Sequence, residues 1–82
     1  MNVQIKIFPI AGLCDQAQKL ELALEDGGMG ELLRSLQDQL GVNLSENETI
    51  MFLHNGRALD RREETVFHDG DQLWLMPQIS GG

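Results

Sequence analysis

"MGELLRSLQDQLG", residues 29–41, decides how the rest of this 82-residue chain must fold. Its apolar side chains recur at spacings of three and four, which is the repeat of an α-helix with one apolar face. These positions are Met29, Leu32, Leu33, Leu36 and Leu40. Glu31 suits the positive end of the helix dipole, and Gly41 suits the left-handed conformation that often follows the last turn. The sequence therefore predicts one amphipathic helix, which can cover one face of one sheet.

Segments on both sides of this helix are predicted to be strands, and the two before it alternate apolar and polar residues, as half-buried strands do. Before it, VQIKIF (residues 3–8) and KLELAL (residues 19–24) predict an antiparallel hairpin with a loose connection. After it, TIMFLHNGRAL (residues 49–59) contains Asn55-Gly56, a strong signal for a tight turn between two extended segments. A last strand is predicted at QLWLMP, residues 72–77.

The predicted order of elements is strand, strand, helix, strand, short strand, strand, which favours an α+β roll. A hairpin, a crossing helix and returning strands that end on a central strand form the ubiquitin-like β-grasp. We expect a mixed four- to five-stranded sheet with one main helix packed on one face. The chain is long enough for one compact domain, predicted at residues 1–76, followed by a flexible Gly-Gly tail at residues 77–82.

Two of the predicted strands are apolar on both faces, at IMFL (residues 50–53) and LWLM (residues 73–76). Because successive side chains alternate, half of them must point away from the helix. These outward residues are Met51, Leu53, Trp74 and Met76. An exposed apolar surface that contains Trp and Met predicts a partner-binding site, which Phe8 could join from the end of the first strand. The alternative is that a loop or self-association covers this surface.

The charge of the chain excludes some classes of partner. Thirteen acidic and six basic residues give a net charge of -7, which repels nucleic acid and anionic membrane surfaces. The acidic excess is a solubility feature, or, if it serves recognition, it favours partners with a basic docking surface. The chain has neither a secretory signal nor a run of ~18 apolar residues, so we expect a cytoplasmic protein.

The side chains offer little catalytic chemistry. The sequence has no phosphate-binding glycine loop, no dinucleotide fingerprint and no paired cysteines for zinc. His54 and His68 lie in different predicted elements without a third ligand at a recognisable spacing, so no metal site is predicted. The acidic pairs at residues 63–64 and at Asp69 and Asp71 fall in predicted connections and turns, where Asp is common. This pattern argues against an enzyme that acts alone.

The chain ends in LWLMPQISGG (residues 73–82), an apolar strand that leads almost directly into two glycines. From Pro77 to Gly82 the backbone could extend roughly 20 Å, enough to enter a pocket of another protein. Because glycine has no Cβ, Gly81 and Gly82 could pass a narrow channel and leave the terminal carbonyl open to attack. A free carboxylate is a poor electrophile, so another protein would have to activate it, for example with an adenylyl group from ATP. The alternative is a terminal segment without a function.

From VQIKIF through GELLRSL and NGR to DGDQLWLMPQISGG, the chain resembles the MoaD/ThiS family of sulfur carrier proteins over essentially its whole length. Its length favours the small subunit of molybdopterin synthase over the thiamine carrier, which is usually shorter. Gln78 stands where many relatives have a second proline. A carrier dedicated to another pathway, such as one for a tungsten cofactor, therefore remains an alternative.

The resemblance implies that an E1-like enzyme adenylates the carboxylate of Gly82 and that a sulfur donor converts the acyl-adenylate into a thiocarboxylate. In the molybdopterin pathway the tail would then enter the large subunit of molybdopterin synthase and deliver sulfur to a cyclic pyranopterin. Gly81 would supply clearance, and the residues from Pro77 through Ser80 would set the reach of the tail. Pro77 and Ile79 would also contact the partner. The chain would be a non-catalytic subunit that binds no cofactor, because the activating enzyme uses the ATP.

Two alternatives accompany this interpretation. One is a thiamine-type sulfur carrier, which would differ in the partner that accepts the sulfur. The other is a ubiquitin-like modifier or interaction module, in which the same terminal carboxylate becomes an amide on a target lysine. Both uses begin with an activated C-terminus, so the sequence leaves them open.

Overall fold

The computed structural model describes residues 1–44 and 47–78. Within these residues the chain forms five strands and one helix, in the predicted order. The elements are β1 (Asn2–Ile7), β2 (Gln18–Ala23), α1 (Met29–Leu40), β3 (Ile50–His54), β4 (Arg57–Leu59) and β5 (Gln72–Pro77). No helix in the described residues is long and apolar enough to cross a membrane.

The described strands form one sheet in the order β2-β1-β5-β3-β4. β5 runs parallel to β1, and the other neighbouring strands are antiparallel. The tight turn between β3 and β4 is where the sequence predicts it, with positive φ angles of 50° at Asn55 and 86° at Gly56. The predicted β-grasp with a mixed sheet and one helix is therefore confirmed, and the last strand lies in the middle of the sheet.

The hydrophobic core lies between α1 and one face of the sheet. The helix buries Met29, Leu32, Leu33 and Leu36, as the spacing predicts. β5 contributes Leu73 and Leu75, both completely buried. The connection between β4 and β5, which the sequence indicates only as irregular, adds Phe67 with 0% exposure. Complete burial of an aromatic side chain stabilises a fold by about 1.5 to 3 kcal/mol, so this connection is part of the core.

Both ends of α1 are held by specific contacts. The carboxylate of Glu31 accepts hydrogen bonds from the backbone N–H groups of Glu25, Asp26 and Gly27, at 2.6, 2.9 and 2.9 Å. These hydrogen bonds, first of all the one from Glu25, lower the pKa of Glu31. At the other end Gly41 is left-handed (φ 73°) and its N–H donates to the carbonyl of Gln37. Glu31 thus orders the loop before the helix in addition to meeting the helix dipole.

Candidate functional site

The face of the sheet opposite α1, here called the open face, carries the apolar residues that the sequence predicts to point outward. Trp74 of β5 is 37% exposed, and its backbone partner on β3 is Leu53. Met76 of β5 lies opposite Met51 of β3 in the same register. Met51, Leu53 and Met76 are half-buried, because neighbouring side chains on the open face cover part of their surface. The alternation of the strands therefore places all four side chains on one surface.

Phe8, whose orientation the sequence leaves open, extends this surface. Its N–H donates to the carbonyl of Leu75 at 2.9 Å, which carries the pairing of β1 with β5 one residue further. The Phe8 ring lies 5.4 Å from the Trp74 ring, with an angle of 60° between the planes. Tilted aromatic pairs at this distance are favourable. The two rings form one aromatic pair at the centre of the open face, while their role in partner binding stays a prediction.

A positive charge lies on this aromatic pair. The Nζ of Lys6 is 4.8 Å from the centroid of Phe8 and 5.5 Å from that of Trp74. A cation above an aromatic ring is stabilised by about 0.5 to 1 kcal/mol at exposed sites. Alternation in β1 predicts that Lys6 points outward, but only the pairing of β1 with β5 brings it beside Trp74. The sequence alone therefore does not predict the contact of Lys6 with the two rings.

The C-terminal segment leaves the sheet from the end of β5. Pro77 is paired with Ile50, and the N–H of Gln78 donates to the carbonyl of Thr49 at 2.8 Å. Regular pairing thus extends through Pro77, the end of the predicted last strand, and one hydrogen bond follows at Gln78. Ile79, Ser80, Gly81 and Gly82 lie outside the described residues. The roles predicted for Ile79, Gly81 and Gly82 therefore stay predictions.

Two arginines lie beside the point where the C-terminal segment leaves the sheet. They line a groove together with Glu48, Ala58, Leu59, Asp60 and Gln78. Arg61 donates to the carbonyl of Leu44 at 2.6 Å and lies 5.0 Å from the centroid of the Phe52 ring. Burial lowers the pKa of the Arg61 guanidinium, although an arginine stays charged at neutral pH. Arg62 is held by Asp60 of the same connection at 3.1 and 3.2 Å, whereas the contacts of Arg61 anchor the connection after β4 to other segments.

A polar cluster holds the opposite end of β5. Asp71 accepts hydrogen bonds from Nε2 of His54 at 2.7 Å, from the backbone N–H of His68 at 2.9 Å and from Nδ2 of Asn55 at 3.1 Å. Burial raises the pKa of Asp71, but the three hydrogen bonds outweigh it and lower this pKa to about 2. Asn55 also pairs with Gln72, so this cluster ties the β3–β4 turn to the start of β5.

The two histidines thus approach the same carboxylate, with Nδ1 of His68 at 3.9 Å from Asp71, a convergence that their sequence positions do not reveal. His54 also packs edge-on against the buried ring of Phe67, with the ring centroids 4.7 Å apart. Within the described residues, no group of three or more His, Cys, Asp or Glu side chains is arranged to hold a metal ion. The cluster acts as a structural link between turn, strand and core.

Comparison with known proteins agrees with the fold. A model of the ThiS family matches residues 5–82. No curated protein matches the chain. Several solved structures share its fold. SAMP1 from Haloferax volcanii has a TM-score of 0.71 and 24% identity, with 100% of both chains covered.

A chain from the complex of subunits 1 and 2 of the molybdopterin-converting factor from Helicobacter pylori has a TM-score of 0.68 and 23% identity, also with 100% of both chains covered. The Haloferax volcanii protein HVO 2177 has a TM-score of 0.64 and 28% identity, covering 100% of this chain and 87% of that one. The family match spans the open face, β5 and the terminal glycines. The chain therefore belongs to the ThiS family and has the ubiquitin-like β-grasp fold.

Proposed function

We propose that this protein is a sulfur carrier of molybdopterin biosynthesis, the small subunit of a molybdopterin synthase. An E1-like enzyme would adenylate the carboxylate of Gly82, and a sulfur donor would convert it into a thiocarboxylate. One observation carries the proposal: β5 is the central strand, and it ends in Pro77 on the border of the open apolar face. A partner that docks on this face meets the C-terminus at a defined place.

The length of the tail agrees with delivery into a partner's active site. The last described hydrogen bond of the segment is that of Gln78, and four residues follow it. Four extended residues span at most about 13 Å, which is shorter than the reach expected if the tail began at Pro77. In the docked complex, the reacting carbon of the partner's substrate should therefore lie within that distance of Gln78, at the end of β5.

The chemistry assigns the reactive group to this chain and the activation to its partners. An oxygen of the Gly82 carboxylate attacks the α-phosphorus of ATP, and pyrophosphate leaves. A sulfide-level nucleophile from the sulfur donor then attacks the acyl carbon, and AMP leaves. The thiocarboxylate sulfur attacks an electrophilic carbon of the pyranopterin on the large subunit, and the oxygen substituent of that carbon leaves as water. Hydrolysis of the resulting thioester leaves the sulfur on the pterin and returns the carboxylate for a new cycle. The chain itself binds no cofactor in this scheme, which we place in the cytoplasm.

A ubiquitin-like modifier is the second candidate. Its support is the similarity to small archaeal modifier protein 1 of Haloferax volcanii, a structure of which matches 95% of this chain with 22% identity. In this case the activated carboxylate of Gly82 would be attacked by a lysine amine of a target protein, and AMP would leave. The synthase and the modifier functions share the first step and differ in the nucleophile.

Intact mass spectrometry tests the proposal. The protein is incubated with ATP, the E1-like enzyme of the same organism and a sulfur donor, and the C-terminal peptide is then mapped. We expect a gain equal to the replacement of one oxygen by sulfur at Gly82, and no gain without ATP or in a variant lacking Gly81 and Gly82. Sulfur transfer to a pyranopterin by the added large subunit would support the synthase role. Adducts on lysines of other proteins, without such transfer, would favour the modifier.

A further inference from the structure

Two lysines lie side by side on the open face. Lys6 of β1 and Lys19 of β2 are backbone partners in the antiparallel pair, and they are the two lysines of the sequence. Lys6 points to the open face because its neighbours Ile5 and Ile7 are buried on the other side. On its other side Lys6 is paired with Trp74. A row of side chains therefore crosses the sheet from the two amines to the aromatic pair.

Among the described residues, these amines are not paired with a carboxylate. Within residues 1–44 and 47–78, no ion pair joins Lys6 or Lys19 to an acidic group. Glu21, two residues beyond Lys19 on the same side of β2, accepts a hydrogen bond from Nε2 of Gln4 instead. Like charges directly opposite each other on neighbouring strands are destabilising. In a chain with thirteen acidic residues, this uncompensated pair is an exception to the surrounding charge.

The position of Lys6 makes the charge relevant to docking. Its Nζ lies against the rings of Phe8 and Trp74, at the centre of the apolar surface. A partner that covers these rings must also cover the ammonium group. Burying an ammonium without a partner is strongly unfavourable, whereas a carboxylate opposite it compensates the lost water. A purely apolar partner surface therefore does not fit this face.

We propose that the partner protein docks on the open face with an apolar centre and at least one Asp or Glu carboxylate opposite Lys6 and Lys19. The apolar centre contacts Trp74, Met76 and Met51, and the carboxylate pairs with the amines. This inference rests on the proposed function for the identity of the partners, the E1-like enzyme and the large synthase subunit. The net charge of the chain, if it serves recognition, favours a basic docking surface on the partner. This proposal instead requires an acidic group on the part of the partner that covers Lys6 and Lys19.

Substitution by methionine distinguishes an acidic from a purely apolar partner. Lys6→Met and Lys19→Met remove the charge and keep an unbranched apolar stem. If a carboxylate lies opposite, the double variant leaves it buried and unpaired, and we expect affinity for the E1-like enzyme or the large subunit to fall about tenfold. If the partner surface is purely apolar, the same variant removes an unpaired charge, and binding becomes tighter. The two hypotheses thus predict changes of opposite sign.

Arg34→Met is the matched control, because it removes one positive charge from the exposed side of α1, far from the open face. Calorimetric titrations of both partner proteins with the wild type, the single variants and the double variant give the dissociation constants. NMR spectra of the backbone amides verify that each variant is folded. If Lys6→Met unfolds, the same comparison is made with Lys19→Met alone. The difference between wild type and double variant should shrink in high salt, since screening weakens the ion pairs.

Unchanged or tighter binding of the double variant would overturn the inference while leaving the proposed function intact. Binding that falls equally in Arg34→Met would show a general charge effect and would also overturn it. If the wild type binds neither partner protein and is not activated, the proposed function fails first, and this inference fails with it. Replacement of the partner's acidic residues by lysine should restore affinity for a Lys6→Glu, Lys19→Glu variant and so complete the test.

Discussion

The two faces of β5 show how one strand serves both stability and recognition. Leu73 and Leu75 point into the core and are completely buried, whereas Trp74 and Met76, between and beyond them, point to the open face. Both sets are apolar, so hydrophobicity alone does not distinguish them. What differs is the cover: α1 lies over the first set, whereas no helix of the described residues lies over the second. The same residue types therefore stabilise the fold on one face and remain available for a partner on the other.

The largest effect on stability is expected on the covered face. Leu75→Ala should lower the free energy of unfolding by about 2 to 5 kcal/mol, because it removes buried methyl groups and leaves a cavity between sheet and helix. Chemical denaturation monitored by circular dichroism measures this change. A loss below ~1 kcal/mol would mean that Leu75 contributes no more than an exposed residue and would break the contrast between the faces.

The next effect concerns Asp71, which fixes the start of β5. Its pKa is lowered to about 2 in the folded protein, from 3.8, so its stabilising contribution is present above pH ~4 and is lost as the pH falls towards 2. Because its side chain is 14% exposed and partly screened, we expect Asp71→Asn to cost about 1 to 2 kcal/mol at pH 7. Denaturation between pH 2 and 7 should show a flatter acid limb for the variant. Equal pH dependence in both proteins would rule this role out.

Trp74→Asp sharpens the comparison on the open face. The variant loses the contact with Phe8 but offers Lys6 a carboxylate, so we expect a change in unfolding free energy below about 1 kcal/mol. Binding to the E1-like enzyme or the large synthase subunit should weaken about tenfold or more, since aromatic residues dominate such surfaces. Denaturation and calorimetric titration measure the two quantities separately. If the variant unfolds, Trp74 belongs to the core, and the open face contributes to stability as the covered face does.

Removal of Gly81 and Gly82 should have the smallest effect on the fold. Because these residues follow the last described contact, we expect the free energy of unfolding to stay within about 0.5 kcal/mol of the wild type. Activation by the E1-like enzyme and ATP, followed as release of pyrophosphate, should be abolished. A shortened protein that still releases pyrophosphate at the normal rate would remove the tail from the mechanism. Ser80→Ala is a suitable control, since it changes the tail without shortening it.

Local patterns account for most of the fold that could be predicted. Side chains alternate in strands and repeat every three to four residues in helices, so the elements and their inward faces follow from the order of residues. Asn55-Gly56 specifies its own turn through the positive φ angles that few other residues accept. Phe67 cannot be predicted in this way, because it lies in a connection without periodicity. Its contacts are with Gly27 and His54, which only the folded chain brings together.

The candidate site, like the fold, is predictable from the sequence only in part. The outward direction of Met51, Leu53, Trp74 and Met76 follows from alternation, and the terminal glycines are visible in the sequence itself. Contacts between distant segments do not follow from either signal. Lys6 meets Trp74 because β1 and β5 are parallel neighbours, and His54 meets Asp71 because β3 flanks β5 on the other side.

The sequence by itself thus determined the secondary structure, the presence of an apolar surface that one helix cannot cover, and the two glycines at the end of a chain of the ThiS family. Each of these depends on neighbours a few residues apart, whose geometry the backbone repeats impose. Only the tertiary structure decided that β5 is central, that two lysines and an aromatic pair share the open face, and that Asp71 joins a turn to the core. These features arise from strand pairing between residues far apart in the chain, where the burial of the whole sheet selects one register.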